Sequence, residues 1–291
     1  MLETNPPPDA PPSPPRPKFV QQNYATPQSP QSQVNVAYSN AQIAGDAIIL
    51  AIGWNDTTAG ISMVFDSAGN RYQVAVPTFR GNGMSQAIYY AANIKGGSNS
   101  VTVTFDQPAV YIDLRVTEYS GLLRTNAFDA GASASASGAN ADSGPVTTGT
   151  TNELLFGAGM TATTYTAAGS GFTQRIITAP DADILEDLAA AGAGTYNATA
   201  TLSSGAWLMQ VAAFKAALPF TPPKLGISPT ATNAAVVTWP AAATGFTLQE
   251  KPDLAATNWD DATSAVEVVG AENQAVLSLS PKQRFYRLKS P

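Results

Sequence analysis

The residues best suited to chemistry in this chain are carboxylates, and four of them lie within seven positions. They are Asp181, Asp183, Glu186 and Asp187. Clustered carboxylates, together with backbone carbonyl groups, are the ligands that a hard cation prefers. The simplest interpretation is a solvated loop that leads into a strand, and the alternative is a Ca²⁺ site at these four residues.

A fifth acid, Glu118, stands out by its position within a strand pattern. The stretch Val110–Gly121 alternates apolar and polar residues, and Ile112, Leu114 and Val116 share one face. Such alternation is typical of a strand with one face on a core. Glu118 falls in the apolar phase, where a bare carboxylate is too costly to bury.

The expected partner of Glu118 is a set of loop amides or a nearby arginine, such as Arg115 or Arg175, because buried charges are usually paired. The alternative is a catalytic pair formed by Glu118 and one acid of the 181–187 cluster. That cluster reads D-x-D-x-x-E, which resembles the E-x-D-x-(x)-E strand of laminarinase-like glycoside hydrolases. The resemblance implies two carboxyl groups roughly 5–5.5 Å apart.

The sequence contains no His and no Cys. Their absence removes the usual forms of Ser-His-Asp and Cys-His catalysis, and the common zinc, copper and non-haem iron ligand sets. We therefore predict a protein that is not an enzyme, with a glycoside hydrolase as the less favoured reading.

Composition limits the partners and the location. Charged residues make up 12% of the 291 residues and the net charge is −6, so there is no electrostatic support for binding nucleic acid. No apolar run reaches the 18 residues of a membrane span. The surface is rich in Thr, Ser and Asn, which favours an extracellular or cell-surface protein.

Short strand signals separated by Gly, Asn and Asp turns predict an all-β chain with four parts. Residues 1–18 are a Pro-rich extended arm, because proline favours polyproline II. Residues 19–217 are a jelly-roll-like β-sandwich, and residues 218–223 are a linker. Residues 224–291 are a small β-sandwich of fibronectin-III or immunoglobulin-like type.

Aromatic side chains suggest a second kind of site. Exposed rings stack on sugars, and Trp54, Tyr111 and Tyr119 are the candidates for binding a polysaccharide. Tyrosine and tryptophan are also ordinary half-buried residues of sheets, which is the alternative.

Assembly is the leading functional expectation. A segment that follows a flexible arm can add a strand to the sheet of a neighbouring copy. Val34, Val36 and Tyr38 alternate in the segment after the arm. We predict that these residues mediate self-association into a homo-oligomer or fibre.

Two resemblances support export. The first is to a recurrent secreted β-sandwich domain of soil bacteria, and the motifs that carry it are PQSPQSQ (27–33), GWNDT (53–57), DSAGNRY (66–72), IYYAANI (88–94), EYSG (118–121) and GAWLMQ (205–210). The runs TGFTLQE, TNW and RFYRL after residue 224 resemble small C-terminal β-domains of secreted verrucomicrobial proteins. Both resemblances imply export and modular architecture, and neither implies a catalytic residue.

Overall fold

A computed structural model describes residues 16–218, 222–230, 234–253, 255, 257–278 and 284–289. These residues form strands and no helix, which confirms the predicted all-β fold class. Their contacts divide them into two compact units, residues 16–218 and residues 222–289. Residues 1–15 of the predicted arm and residues 219–221 of the predicted linker lie outside the described part.

The first unit contains sixteen of the described strands. In chain order they are β1 (Lys18–Ala25), β2 (Gln31–Ala37), β3 (Ala47–Trp54), β4 (Ile61–Asp66), β5 (Gln73–Gly81), β6 (Met84–Ala92), β7 (Ser100–Ala109), β8 (Asp113–Ser120), β9 (Phe128–Asp142), β10 (Val146–Thr147), β11 (Glu153–Thr161), β12 (Tyr165–Ala168), β13 (Thr173–Ile177), β14 (Ile184–Ala190), β15 (Thr195–Tyr196) and β16 (Thr199–Phe214).

These strands stack as three main layers. The central sheet has the order β1-β8-β3-β6-β5, and the outer sheet has the order β2-β7-β4. The large sheet has the order β12-β16-β11-β14-β13, and β9 also pairs with β16. One apolar cluster lies between the outer and central sheets, and a second lies between the central and large sheets. The central sheet is therefore buried on both faces.

Strand β3 shows why the chain forms a buried middle layer. Its sequence, AIILAIGW, is apolar throughout, and all eight residues are buried. Leu50 packs in the cluster towards the outer sheet, and Ile49 packs in the cluster towards the large sheet. A continuous apolar run is the pattern of a strand covered on both sides. At Gly53 the layers approach so closely that a Cβ would lie 2.3 Å from the sulfur of Met160.

The expectation that Val110–Gly121 buries only one face is wrong. Strand β8 is buried over its whole length, apart from half-buried Ser120. Leu114 and Val116 face an apolar core as predicted, and this core lies against the outer sheet. Tyr119 of the opposite face packs against the large sheet. The alternation is therefore that of a strand buried between two layers. Its face towards the outer sheet is largely apolar, and its face towards the large sheet is largely polar.

The predicted assembly residues complete a sheet of their own chain. Val34 pairs with Val103 and Val36 pairs with Val101 in the β2–β7 ladder. Both valines and Tyr38 are buried in the cluster between the outer and central sheets. The chain pairs β2 with its own β7, so these side chains lie in the core of the same molecule. They are not on the surface, where a neighbouring copy could contact them.

The second unit has two small sheets. Its strands are β17 (Gly226–Pro229), β18 (Ala234–Pro240), β19 (Thr247–Lys251), β20 (Asp260–Asp261), β21 (Val266–Val269), β22 (Glu272–Ser278) and β23 (Phe285–Lys289). Strands β17-β18-β22-β21 form one sheet and β20-β19-β23 form the other. Val237, Trp239 and Leu248 contribute to their shared core. The jelly-roll and fibronectin-like topologies remain predictions.

We expect Ile49→Ala and Leu50→Ala each to lower the free energy of unfolding by about 2–5 kcal/mol, because each removes a buried aliphatic group from a different apolar layer. Val74→Ala, at a side chain of the same sheet that is 47% exposed, is the matched control and should stay within about 0.5 kcal/mol. Urea unfolding measures all three. A near-neutral result at either Ile49 or Leu50 would contradict a central sheet buried on both faces.

Candidate functional site: buried carboxylates of the sheet layers

An ion pair lies at the centre of the interface between the central and large sheets. Arg115 Nε is 3.0 Å from Asp113 Oδ1, and both side chains are fully buried. The Nε–H is not aligned on that oxygen as a hydrogen bond. Nη1 of Arg115 binds the large sheet, since it donates to the carbonyl oxygens of Gly159 at 3.0 Å and Ile184 at 2.7 Å.

Two buried glutamines extend this network. Arg115 Nη2 donates to Gln86 Oε1 at 2.8 Å. Gln86 Nε2 donates to the carbonyl of Ala158 at 2.9 Å, and also approaches Gln210 Oε1 at 3.3 Å. Gln210 in turn donates to Ser133 Oγ at 3.0 Å. The network thus joins strands of both sheets. Its three long side chains, Arg115, Gln86 and Gln210, are completely buried.

Asp183 adjoins the same ion pair. Thr178 Oγ1 donates to Asp113 Oδ2 at 2.5 Å, and the Thr161 amide donates to Asp183 Oδ1 at 2.8 Å. Burial, followed by the charge of Asp113, raises the pKa of Asp183 well above its ordinary value. Burial also raises the pKa of Asp113, against the opposing charge of Arg115. The positive charge of Arg115 therefore stabilises two neighbouring carboxyl groups, Asp113 and Asp183. Protonation of one of the two removes the repulsion between them.

Asp187 forms a second bridge between the layers. Its Oδ2 accepts a hydrogen bond from Tyr119 of β8 at 2.7 Å. Arg175 donates to both oxygens, from Nε at 2.7 Å and from Nη2 at 2.9 Å. The guanidinium carbon of Arg175 also lies 4.4 Å from the ring centroid of Phe19 in β1. This cluster fastens the first strand of the central sheet to the large sheet.

Glu186 points to the opposite face of β14. Its Oε2 accepts the amide of Gly169 at 2.8 Å, and none of the described residues donates to its buried Oε1. Burial raises the pKa of Glu186 to about 7. Gly157 makes room for this side chain, because a Cβ there would lie 2.8 Å from Glu186 Cγ.

On the face towards the outer sheet, Glu118 accepts hydrogen bonds from a side chain of β1 and from a loop amide. Gln21 Nε2 donates to Oε2 at 2.5 Å and the Ile43 amide donates to Oε1 at 2.9 Å. The Ile43 amide is an expected loop donor, whereas Gln21 belongs to strand β1. The expected arginines are elsewhere, since Arg115 and Arg175 lie between the central and large sheets. Asp46 also contacts Glu118, and burial together with the charge of Glu118 raises the pKa of Asp46 to about 6.

The structure does not bring the four predicted metal ligands together. Asp181 accepts a hydrogen bond from Gln28 at 2.8 Å, Asp183 lies beside Asp113, and Glu186 and Asp187 point to opposite faces of β14. Glu186 and Asp187 are successive residues of a strand, so their side chains must point to opposite faces of the sheet. In the part of the chain that the structure describes, no three acidic side chains are arranged to hold a metal ion.

The predicted catalytic pair is also divided. Glu118 lies on the outer-sheet side of the central sheet, whereas Asp183 and Asp187 lie on its other side. The central sheet itself therefore separates Glu118 from these acids. Glu186 is further away still in the stacking order, on the far face of the large sheet.

Two of the three predicted sugar-binding aromatics are buried. Trp54 has no exposed surface and packs edge-on against Phe105, with ring centroids 5.3 Å apart. Tyr119 is also fully buried. Tyr111 is 43% exposed and lies in the turn between β7 and β8 with a positive φ of 47°. Of these candidates only Tyr111 is placed to contact a ligand.

Sequence reasoning missed Asp46, Gln86 and Gln210. Their types are ordinary on a surface, and no local pattern distinguishes them. A signal was present at Gln210, the polar residue in the buried run WLMQVAAF (207–214). In such a run a lone amide predicts a hydrogen-bonded group within the core.

No known protein family matches this chain. The curated proteins contain no sequence similar to it. The described residues include no helix that is long and apolar enough to cross a membrane.

We expect Arg115→Met to lower the free energy of unfolding by about 3–5 kcal/mol, because it leaves the buried Asp113 carboxylate without its counter-ion. Asp113→Asn should cost less in the Arg115→Met background than in the wild type, since its charged partner is then absent. A double-mutant cycle in urea measures this coupling. Additive costs would show that the two side chains do not act as a pair.

The raised pKa of Glu186 predicts that the stability of the folded protein depends on pH. Its folded pKa is raised, so the folded state holds the proton more tightly than the unfolded state, and stability is lost as pH rises through about 7. Between pH 5 and 8 we expect the wild type to lose about 2–3 kcal/mol relative to Glu186→Gln. Urea unfolding at each pH gives the difference.

Asp66→Asn is the matched control for that experiment. Hydrogen bonds from Asn99 and Asn70 outweigh burial and lower the pKa of Asp66, so its titration lies below the pH window. The difference between the wild type and Asp66→Asn should stay constant from pH 5 to 8. A constant difference for Glu186→Gln as well would refute the raised pKa of Glu186.

Proposed function

We propose that this chain is a non-enzymatic, extracellular structural protein that associates with copies of itself through the exposed edge of its outer sheet. The observation that carries the proposal is strand β4. It pairs with β7 on one side only, and it presents Met63, 58% exposed, and Phe65, 41% exposed. An apolar edge strand is a ready template for pairing with another chain.

The residue types of β4 favour this association. Soluble proteins commonly protect an edge with charged residues or with proline. The charged residue of β4, Asp66, is buried, and ISMVF (61–65) contains neither a charge nor a proline. At the opposite edge of the same sheet, Asn23 of β1 donates to the carbonyl of Ala37 in β2 at 2.8 Å. That contact covers part of the β2 edge, so β4 is the more available strand.

A second copy of the chain is the partner that fits. Antiparallel pairing of two β4 strands about a twofold axis would satisfy the outward backbone groups of both at once. It would also bring the exposed Met63 and Phe65 side chains of the two copies side by side. This surface replaces the β2 residues as the proposed contact between copies.

The carboxylates support a role without catalysis. Glu118, Asp183 and Asp187 are buried, and each accepts hydrogen bonds from amide, hydroxyl or guanidinium groups. A substrate could reach them only after the sheet layers separate. The side chains that looked suited to chemistry act instead as ties between layers and loops.

The surface supports an extracellular location. Hydroxyl groups pair across neighbouring strands, as in Thr147 with Thr195 and Thr166 with Thr201, each at 3.1 Å. Salt screens interactions between charges. Contacts on a surface with many hydroxyl pairs and few charges therefore change little in strength with ionic strength.

Polysaccharide binding is the second candidate, on the outer face of the same sheet. Thr102 pairs with both Asn35 and Phe65, and Thr104 pairs with both Gln33 and Met63. This face therefore combines an aromatic ring with amide and hydroxyl groups, which is the chemistry that contacts sugars. Retention on insoluble polysaccharides that is lost in Phe65→Ala would support it.

We expect the wild type to form dimers or larger species as its concentration rises, and Met63→Lys to remain monomeric, because a lysine on an edge strand opposes pairing. Light scattering coupled to size-exclusion chromatography measures both. Ser204→Lys is the matched control, at an exposed position of the interior strand β16. A wild type that stays monomeric at every concentration would refute the proposal.

A further inference from the structure

A lysine, an aspartate and a glutamate meet at one end of the large sheet. Asp129 is on β9, Glu153 begins β11, and Lys215 directly follows β16, the strand between them. Register brings their positions together, because Phe214 pairs with Phe128 on one side and with Leu154 on the other. Lys215 Nζ lies 2.7 Å from Asp129 Oδ1, and the two side chains are 28% and 17% exposed.

Backbone contacts hold these side chains in place. The Gly149 amide donates to Asp129 Oδ2 at 2.8 Å. The Lys215 amide donates to the carbonyl of Ala127 at 2.7 Å, which fixes the lysine backbone beside β9. Glu153 Oε1 accepts hydrogen bonds from the amide and the hydroxyl of Thr150, at 2.7 and 2.9 Å.

Glu153 is the third titratable group at this end of the large sheet. It is fully buried, and burial raises its pKa, whereas hydrogen bonds from Lys215 and the Gly149 amide hold the pKa of Asp129 below its ordinary value. The buried Oε2 of Glu153 accepts no hydrogen bond from the described residues, and the charge of Asp129 also raises the pKa of Glu153. A raised pKa favours the protonated form of the Glu153 carboxyl group.

We propose that Lys215 and Asp129 join in an intramolecular amide (isopeptide) bond, and that Glu153 is the acid and base that promotes the condensation. The three side chains provide a nucleophilic amine, an acylating carboxyl group and a proton carrier at neighbouring positions of three paired strands. No assembly between copies is needed, so the inference is independent of the proposed function.

The reaction balances without a further reagent. Transfer of one proton from Lys215 to Asp129 converts the ion pair to a neutral amine and a carboxylic acid, and Nζ then attacks Cγ of Asp129. The Gly149 amide stabilises the negative charge that develops on Oδ2. Glu153 gives its proton to the departing oxygen and takes one from the nitrogen. A C–N bond forms, a C–O bond breaks, and one water molecule leaves.

The surroundings suit this chemistry. Glu153 has no exposed surface, so bulk water does not compete for hydrogen bonds with its carboxyl group. A cavity of about 120 Å³ borders Lys215 and is lined by Leu123, Thr150 and Leu218 among others, which gives the released water a way out. The bond would fasten the end of β16 to the start of β9, so tension on the chain after residue 215 would act on a covalent link.

The test is the intact mass of the purified full chain, measured under denaturing conditions after prolonged incubation of the folded protein. We expect the wild type to be lighter than its sequence by one water molecule, with a cross-linked peptide that contains both Lys215 and Asp129. A wild type with the full sequence mass would overturn the proposal.

Two variants separate the chemistry from the fold. Lys215→Arg keeps the charge pair with Asp129 but has no amine to acylate, so it should fold and show the full sequence mass. Glu153→Gln keeps the shape but loses the proton carrier, and should show the full mass or lose water at least tenfold more slowly. Water loss that persists in Lys215→Arg would place the reaction elsewhere and refute this bond.

Discussion

Burial of the central sheet on both faces is the constraint on which the first unit depends. A sheet with only apolar faces could be covered by any two layers of suitable shape. Here the face towards the outer sheet is mainly apolar, while the face towards the large sheet carries Asp113, Arg115 and Tyr119. The ion pair of Asp113 and Arg115 must be matched by particular acceptors, because an unmatched buried charge is severely destabilising. The large sheet supplies them as the carbonyl groups of Gly159 and Ile184.

Such a polar interface acts on specificity more than on stability. A buried ion pair contributes little over a well-packed apolar replacement, yet loss of one partner is costly. The Asp113–Arg115 pair, the Gln86–Gln210 chain and the Asp187 cluster therefore select one register between the two sheets. Two of the acids considered as possible catalysts, Asp183 and Asp187, are part of this matching, which explains why they are buried and hydrogen-bonded.

Parts of this arrangement were open to prediction from the sequence. Alternation and turn residues predicted the all-β class, and the apolar phase of Glu118 predicted a buried, hydrogen-bonded carboxylate, one of whose two donors is the expected loop amide. The Ca²⁺ ligands could not be tested by spacing alone, because acids one position apart on a strand point to opposite faces, as Glu186 and Asp187 do. Trp54 and Tyr119 were misjudged for a related reason, since residue type does not tell a stacked ring in a core from one on a surface.

The sequence by itself determined the strands, the buried character of AIILAIGW in β3 and the absence of histidine and cysteine chemistry. Only the tertiary structure decided that the polar face of β8 meets a second sheet, and that Asp129, Glu153 and Lys215 stand side by side. The physical reason is that strand patterns are local, with a period of two residues, whereas sheet stacking and register join positions far apart in the chain. A polar face looks the same in sequence whether water or another sheet completes its hydrogen bonds.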